Sequence, residues 1–410
     1  MSALPPDVVP EPGVDLGAAE EMPRARVTRR EALLLLGFVV IALAFLYLAL
    51  PRLTGLEDTW NRIREGDPAW LLACLVFELV SFGGYIWLFR GVFVRGSHRI
   101  DWRASYEITM AGLAATRLFA AAGAGGAALT AWALRRSGMS PRVVAVRMVA
   151  QYVILYGVYM VSLVVGGVAL YTGIAAGSQA FALTLLPAII GATVIIIVLA
   201  FTLIPTQIDA RLRRWAAAGG GGRWGRILAQ VAKAPAAVSA GVREALVITR
   251  ERDGALLGAV IWWYFDILTL WAAFHAFGEP PPFVALVMAY FVGMLANLLP
   301  LPGGIGGVDG GMIGALIAFG VEDGLAVVAV LTYRAFAFWL PTIPGFIAYF
   351  HLRRTVQRWR EDGDRQLGAV PGAAPTATIQ SEVSAPAEVL APTDQQTPGD
   401  EGDTWATSRT

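Results

Sequence analysis

The chain is expected to be an all-α polytopic integral membrane protein with about six full spans and two re-entrant helical hairpins in an inverted repeat. Three observations predict this. The composition is 56% hydrophobic and only 15% charged over 410 residues, far from the soluble average. Arginines are concentrated in alternate loops between apolar runs, above all in 90–103, 205–254 and 353–360, the bias that orients membrane helices. Two apolar regions are broken at their middles by small residues or proline, where a smooth helix cannot pass.

Residues 1–22 hold four prolines, five acids and no basic residue, a composition that builds no core. Residues 1–30 are read as a disordered cytoplasmic segment. Arg24, Arg26, Arg29 and Arg30 then precede Ala32–Leu50, a first span whose basic flank puts the N-terminus in the cytoplasm. Ala69–Phe89 returns inward to Arg90, Arg95, Arg99 and Arg103. Ala104–Arg136 is too short for two spans of ~20 residues and a turn. A single crossing would leave Arg135 and Arg136 outside. A hairpin that enters from the cytoplasm and returns to it, turning near Arg117-Leu118-Phe119 and Gly123 to Gly126, removes that conflict.

Ala145–Leu170 runs outward and Phe181–Ile204 inward, joined by a loop without a basic residue. Residues 205–254 carry nine basic residues and are cytoplasmic by the same rule. Two short amphipathic helices split at Pro235 are expected there, lying on the anionic inner leaflet or forming a solvated linker. Ala255–Phe277 runs outward to Gly278-Glu279-Pro280-Pro281-Pro282. The second hairpin pairs Phe283–Leu299 with Ile305–Phe319, each shorter than a span, around Leu299-Pro300-Leu301-Pro302-Gly303-Gly304. Non-helical backbone at membrane depth survives only where protein or a wet cavity satisfies it. Leu325–Phe350 returns inward to a basic end, and 356–410 is read as a disordered cytoplasmic tail. The membrane domain is thus placed at 31–355, with repeat halves 31–170 and 181–355 and the linker 205–254.

At an offset of 181 the hairpins align. Gly112 falls on Gly293, Ala115 on Ala296, Leu118 on Leu299, and Gly123, Gly125 and Gly126 on Gly304, Gly306 and Gly307; Tyr152 falls on Tyr333. The spans flanking the two hairpins run in opposite senses, so the halves are inverted copies. Transporters use such repeats, with broken helices meeting at the bilayer midplane.

Other classes lose ground. The net charge of +1 leaves no footprint for nucleic acid, and no nucleic-acid partner is expected. One cysteine, Cys74, and three scattered histidines leave no metal set. No phosphate-loop, zinc-protease or serine-hydrolase motif occurs, so no cofactor and no catalytic residue is expected.

Ionisable residues inside the bilayer are functional candidates by default. Glu78 and Asp266 lie near the middles of corresponding spans, as a candidate proton or charge relay. Glu107 and Arg117 lie in the first hairpin, Asp309 in the second, Arg334 in the last span, and Arg147 begins the span after the first hairpin. Asp309 and Arg334 are expected to pair. Arg117, near a tip, either holds a phosphate by its planar fork or snorkels to the interface. Asn297 either caps the break or contacts substrate. Trp262, Trp263 and Tyr264 read as packing or interfacial anchors.

The run Asn297-Leu298-Leu299-Pro300-Leu301-Pro302-Gly303-Gly304-Ile305-Gly306-Gly307-Val308-Asp309, with Arg334, Pro341 to Gly345, and Gly125-Gly126 followed by Ala133 to Gly138, resembles the lysylphosphatidylglycerol synthase transmembrane-domain family, also called flippase-like or UPF0104 proteins. The resemblance covers about residues 30–355 and carries a PxPGGxG motif. The family usually has Glu where this chain has Asp309, a shorter reach with the same charge. The family's fused synthases carry a cytosolic aminoacyl-transfer domain, for which the residues after Arg360 leave no room, so this chain is not expected to be an enzyme. The resemblance implies handling or translocation of an anionic lipid or polyprenyl-phosphate-linked headgroup in the plasma membrane, with both termini cytoplasmic. The substrate-binding candidates are Arg117, Gly125, Gly126, Asn297, Pro300, Pro302, Gly303, Gly304, Gly306, Asp309 and Arg334. Membrane lipids are the expected partners, with a glycosyltransferase or lipid-modifying enzyme as a further one. Two alternatives stay open. One is a proton-coupled secondary transporter of a small anionic solute, the other a non-catalytic subunit presenting a lipid carrier to a glycosyltransferase.

Overall fold

The computed structural model describes residues 65–95, 99–118, 124–203, 234–251, 254–298 and 306–368. The expected first span Ala32–Leu50, the start of the cytoplasmic linker and Pro300, Pro302, Gly303 and Gly304 lie outside them. Among the described residues the elements are helical: α1 (Pro68–Phe93), α2 (Trp102–Leu118), α3 (Ala124–Arg136), α4 (Pro141–Tyr171), α5 (Leu185–Ala200), α6 (Ala234–Arg250), α7 (Ala255–Phe277), α8 (Phe283–Met294), α9 (Gly307–Ala318), α10 (Asp323–Arg334) and α11 (Leu340–Gly368). A 3₁₀ turn, Leu295–Leu298, prolongs α8, and a π turn, Ala335–Trp339, joins α10 to α11. Five helical stretches are long and apolar enough to cross a membrane: Pro68–Phe93, Pro141–Tyr171, Leu185–Leu203, Ala255–Phe277 and Asp323–Asp362. They are the five expected spans that fall among the described residues.

Local chemistry sets the helix starts. Asp67 caps α1 by accepting from Ala69 N (2.8 Å), and Ser140 caps α4; each is followed by proline at the first helical position, where the missing N–H harms nothing. Leu72, Leu79, Val165, Ile196 and Ile343 are exposed on these spans, an apolar surface suited to lipid.

The centre is the antiparallel pair α1 and α7. At one end Asp67 N donates to Ala276 O (3.0 Å); towards the other, Gly91 lies on Ala255. Between them Gly84 and Gly258 bring the backbones together, since a Cβ on Gly258 would lie 2.5 Å from Leu88 N and 2.7 Å from Gly84 O. Small residues allow this approach in membrane helices. Ser81 Oγ then donates across the seam to Trp262 O (2.9 Å).

Two short helix pairs flank this centre. In the first, α2 packs on α3, with Gly112 against Thr130 and Gly126 against Thr116. In the second, α8 packs on α9, with Gly293 against Gly311 and Met312. Gly112·Thr130 and Gly293·Gly311 are the same contact displaced by 181 residues, the register read from the sequence. The pairs are anchored at opposite ends of the bundle. Glu107 of α2 meets Thr355 (2.6 Å), at the end where Arg95 pairs with Glu251 (2.7 Å). Ala285 of α8 meets the loop at Gly177, at the end where Gly278 meets Leu325.

Gly126 offers a direct test of the first pair. A Cβ there would penetrate Thr116 Oγ1 and the carbonyl oxygen of Gly112, which is backbone and cannot rotate away, whereas a Cβ on Gly157 meets nothing within 4 Å. Gly126→Ala is expected to lose folded yield, with overpacking costing about 1–3 kcal/mol. Gly157→Ala is expected to be neutral or to gain up to ~1 kcal/mol of helix propensity. Fluorescence-detected size exclusion of the two variants measures this.

Two expectations need amending. The described part of the linker is α6, the second of the two expected helices, with Pro235 at its second position, where proline is tolerated; the first, around Ile227, Leu228 and Val231, lies outside the described residues. Its face of Ser239, Val242, Ala245 and Ile248 is buried, and Gly241 sits on Val149 of α4. That face therefore meets protein, as neither the membrane-surface nor the solvated-linker reading had it. The last helix runs to Gly368, past the tail boundary at 356. Leu352, Val356 and Trp359 recur at helical spacing, the first two buried and the third packed on the core; that stripe outweighs the polar composition of the segment.

Candidate functional site

Five of the ionisable side chains singled out in the sequence converge where the short pairs approach α1, α7 and the α10–α11 junction. Glu78 and Asp266 face each other across the α1–α7 crossing, 2% and 6% exposed. Tyr290 of α8 and Tyr333 of α10 both donate to Asp266 Oδ2, Tyr333 at 2.9 Å. Thr269 Oγ1 lies 3.2 Å from Glu78 Oε2. These contacts bring α8 and α10 onto the α1–α7 core through one carboxyl group.

Arg334, the last residue of α10, pairs with Asp309 of α9, Nε to Oδ1 at 2.5 Å. Asp309 Oδ2 accepts from Gly306 N (2.8 Å), and Gly306 has φ 81°, the left-handed region that favours glycine. One carboxylate thus closes the first turn of α9 with one oxygen and holds the last span with the other. The shorter Asp reaches because it stands at the N-terminus of α9, whose dipole also favours its charge.

Arg117, near the C-terminus of α2, reaches across to the last span. Its guanidinium donates to Ala337 O (2.8 Å) and Phe338 O (3.0 Å) in the π turn. Pro341 supplies the reason. It has no N–H to give the carbonyl four residues earlier, which is that of Ala337. A buried carbonyl without a donor is costly, and Arg117 reaches across from α2 to satisfy it. Arg117 and Arg334 flank the same ring, their Cζ atoms 5.2 and 4.5 Å from the centroid of Phe338, a cation–π arrangement that helps two like charges lie close. The fork has five N–H groups, and the two carbonyls engage one on each terminal nitrogen.

The remaining candidates lie elsewhere. Gly125 and Gly126 open α3, where Gly126 serves the approach to α2. Asn297 contributes its backbone to the 3₁₀ turn after α8. Glu107 bonds Arg103 (3.0 Å) and Thr355, away from the cluster. Arg147 donates to Phe93 O (3.1 Å) and Arg95 O (3.2 Å), completing the C-terminus of α1. Trp263 is buried with Nε1 on Leu155 O (2.7 Å), the packing role expected of it. Sequence reasoning missed Tyr290, Thr269 and the Arg117–Pro341 relation. The last had a signal, a proline inside a span that leaves an acceptor four residues earlier.

The architecture is that of a polytopic α-helical membrane protein with two short helix pairs set against a buried ionic cluster. The chain belongs to the lysylphosphatidylglycerol synthase TM region family, whose model matches residues 34–345. A UPF0104 membrane protein of Methanothermobacter thermautotrophicus is 36% identical over 87 residues, 21% of this chain and 25% of the relative. Another UPF0104 membrane protein, from Methanocaldococcus jannaschii, is 30% identical over 105 residues, 25% of this chain and 31% of the relative. These two matches thus span about a quarter to a third of the relatives' length. A longer alignment, to a UPF0104 membrane protein of M. thermautotrophicus, is 23% identical over 328 residues, 75% of this chain and 92% of the relative.

Proposed function

We propose that the protein moves an anionic lipid headgroup, phospholipid or polyprenyl-phosphate-linked, between the leaflets of the plasma membrane without chemistry of its own. The observation that carries this is the pair of guanidiniums, Arg117 and Arg334, flanking Phe338 inside the bundle. Arg117 comes from the first short pair itself and Arg334 from α10, the helix that follows the second. Asp309 pairs with Arg334, whereas the hydrogen bonds of Arg117 among the described residues go to two carbonyls, so the N–H groups of its planar fork beyond those carbonyls fit a phosphate at a depth where a guanidinium is expensive without a bonded anion. In this reading the two pairs are re-entrant hairpins entering from opposite faces, and rocking of the halves exposes the cluster to each leaflet in turn. Liposomes of phosphatidylcholine with fluorescent phosphatidylglycerol test it, scored for lipid that changes leaflet. Lack of movement by the unmodified protein would refute it. Uptake of a small anion instead would favour the solute transporter.

The orientation has its own test. Single cysteines at exposed Glu279 and Asp323 are expected to react with an impermeant thiol reagent in intact cells carrying Cys74→Ala, and one at exposed Ser140 is not. Labelling at Ser140 would mean that the first helix pair crosses the bilayer.

A further inference from the structure

The contacts at the α1–α7 crossing require a hydrogen that the ionised side chains do not have. Asp266 Oδ2 accepts from two tyrosine hydroxyls, which is how a carboxylate behaves. Thr269 has one hydroxyl hydrogen and two acceptors, Phe265 O at 3.0 Å and Glu78 Oε2 at 3.2 Å. That one hydrogen is shared between them. Glu78 and Asp266 are also hydrogen-bonded to each other across the crossing; two ionised carboxyls offer one another only lone pairs, so this contact calls for a hydrogen on one of them, and Asp266, which already accepts from two tyrosines, leaves Glu78 to carry it. The charge count agrees. The cluster joins three carboxyls, Glu78, Asp266 and Asp309, to two guanidiniums, Arg117 and Arg334, so one added proton makes it neutral. Among the described residues, the groups facing Glu78 and Asp266 are Cys74 on α1, Thr269 on α7, Tyr290 on α8, Tyr333 on α10 and Arg117 on α2, with Arg334 next to Arg117 and Tyr333.

We infer that Glu78 and Asp266 form a binding site for one proton, carried on Glu78, and that this proton is the coupling ion of the transport cycle. The inference rests on the reading of the protein as a mover of anionic headgroups. The coupling passes through Arg117. A phosphate on its free edge and an ionised Glu78 compete for the same positive charge, so each weakens the other's hold, and by linkage phosphate binding and protonation of Glu78 favour one another. On release of the headgroup the Glu78 O–H bond breaks, the proton passes to water, and the carboxylate left behind is held by Arg117. Proton and headgroup then travel in the same direction.

The test has one arm that does not depend on transport. In infrared spectra of the purified full chain at neutral pH, a protonated-carboxyl C=O band is expected. Labelling with carboxyl-¹³C glutamate should shift it, Glu78→Gln should remove it, and Glu107→Gln should leave it. The isotope shift reads the unmodified protein, so the arm survives if Glu78→Gln fails to fold. Thermal unfolding adds an asymmetry. Glu78→Gln keeps a neutral hydrogen donor and should unfold near the wild-type temperature. Asp266→Asn loses the charged acceptor of two tyrosines and should unfold several degrees lower. Absence of the band, or its survival in Glu78→Gln, would overturn the site. In the second arm, a pH gradient across the liposomes should change wild-type lipid movement several-fold, and Glu78→Gln should lose that response. A band with no gradient response would overturn the coupling. A band that behaves as expected in a protein that moves no lipid would leave the proton site standing and remove the lipid reading.

Discussion

Arg117→Ala is expected to slow lipid movement about tenfold to hundredfold and to lower thermal stability, and adding Pro341→Ala is expected to restore the stability but not the movement. Both halves rest on the contacts of the guanidinium. Truncation leaves Ala337 O buried without a donor; Phe338 O keeps the hydroxyl of Thr342 at 2.6 Å. An orphaned buried acceptor costs about 1–3 kcal/mol. Alanine at 341 brings back the N–H that proline lacks, so the helix can satisfy Ala337 O by itself. The lost headgroup contact has no such substitute. A hydrogen bond to a charged group contributes about 1.5–3 kcal/mol, which corresponds to roughly a tenfold to hundredfold fall in rate. Arg117→Lys should lie between, since it offers charge and one donor at a time without the planar fork. The measurements are melting of the four proteins in detergent and leaflet exchange in liposomes. If the double variant moved lipid at the wild-type rate, Arg117 would be a staple for the π turn and nothing more.

The second large effect concerns the Asp309–Arg334 pair. Asp309→Asn alone or Arg334→Gln alone is expected to destabilise by about 3–5 kcal/mol, because each leaves one buried charge facing a neutral group. The double change should recover much of that, giving a favourable coupling in a double-mutant cycle. The two singles differ in one respect. Asparagine can still accept from Gly306 N, so Asp309→Asn keeps the first turn of α9 closed, and its loss reports the charge. Folded yield and melting temperature of the four proteins close the cycle. Additive losses would mean that the ion pair carries no energy of its own.

The spans were legible because each is a long apolar run with arginine at one end, and bilayer thickness alone fixes how long such a run must be. The pairing of Asp309 with Arg334 was legible because a lone charge in lipid is so costly that the nearest opposite charge is the natural partner. The offset of 181 was legible because close helix contacts demand glycine at fixed places, and Gly112 and Gly293 hold such places. Other features were hidden for stated reasons. Nothing local marks Tyr290 as a partner of Asp266; the two meet only once α8 is folded against α7. The face of α6 reads as amphipathic either way, since a buried apolar stripe looks the same whether protein or lipid covers it. Arg117 was placed at a tip, yet its partner depends on a proline more than two hundred residues later in the chain.

The π turn also sets the phase of the last span. In an uninterrupted α-helix at 3.6 residues per turn, two residues eleven positions apart point within about 20° of one another. Arg334 and Gly345 have that spacing, yet Arg334 addresses Asp309 of α9 while Gly345 rests on Met110 and Ala114 of α2. The extra residue of a π turn rotates α11 relative to α10 by about a quarter turn or more. One rod therefore presents separate faces to the two helix pairs, and unwinding or tightening that single turn would swing one face relative to the other without bending the rod.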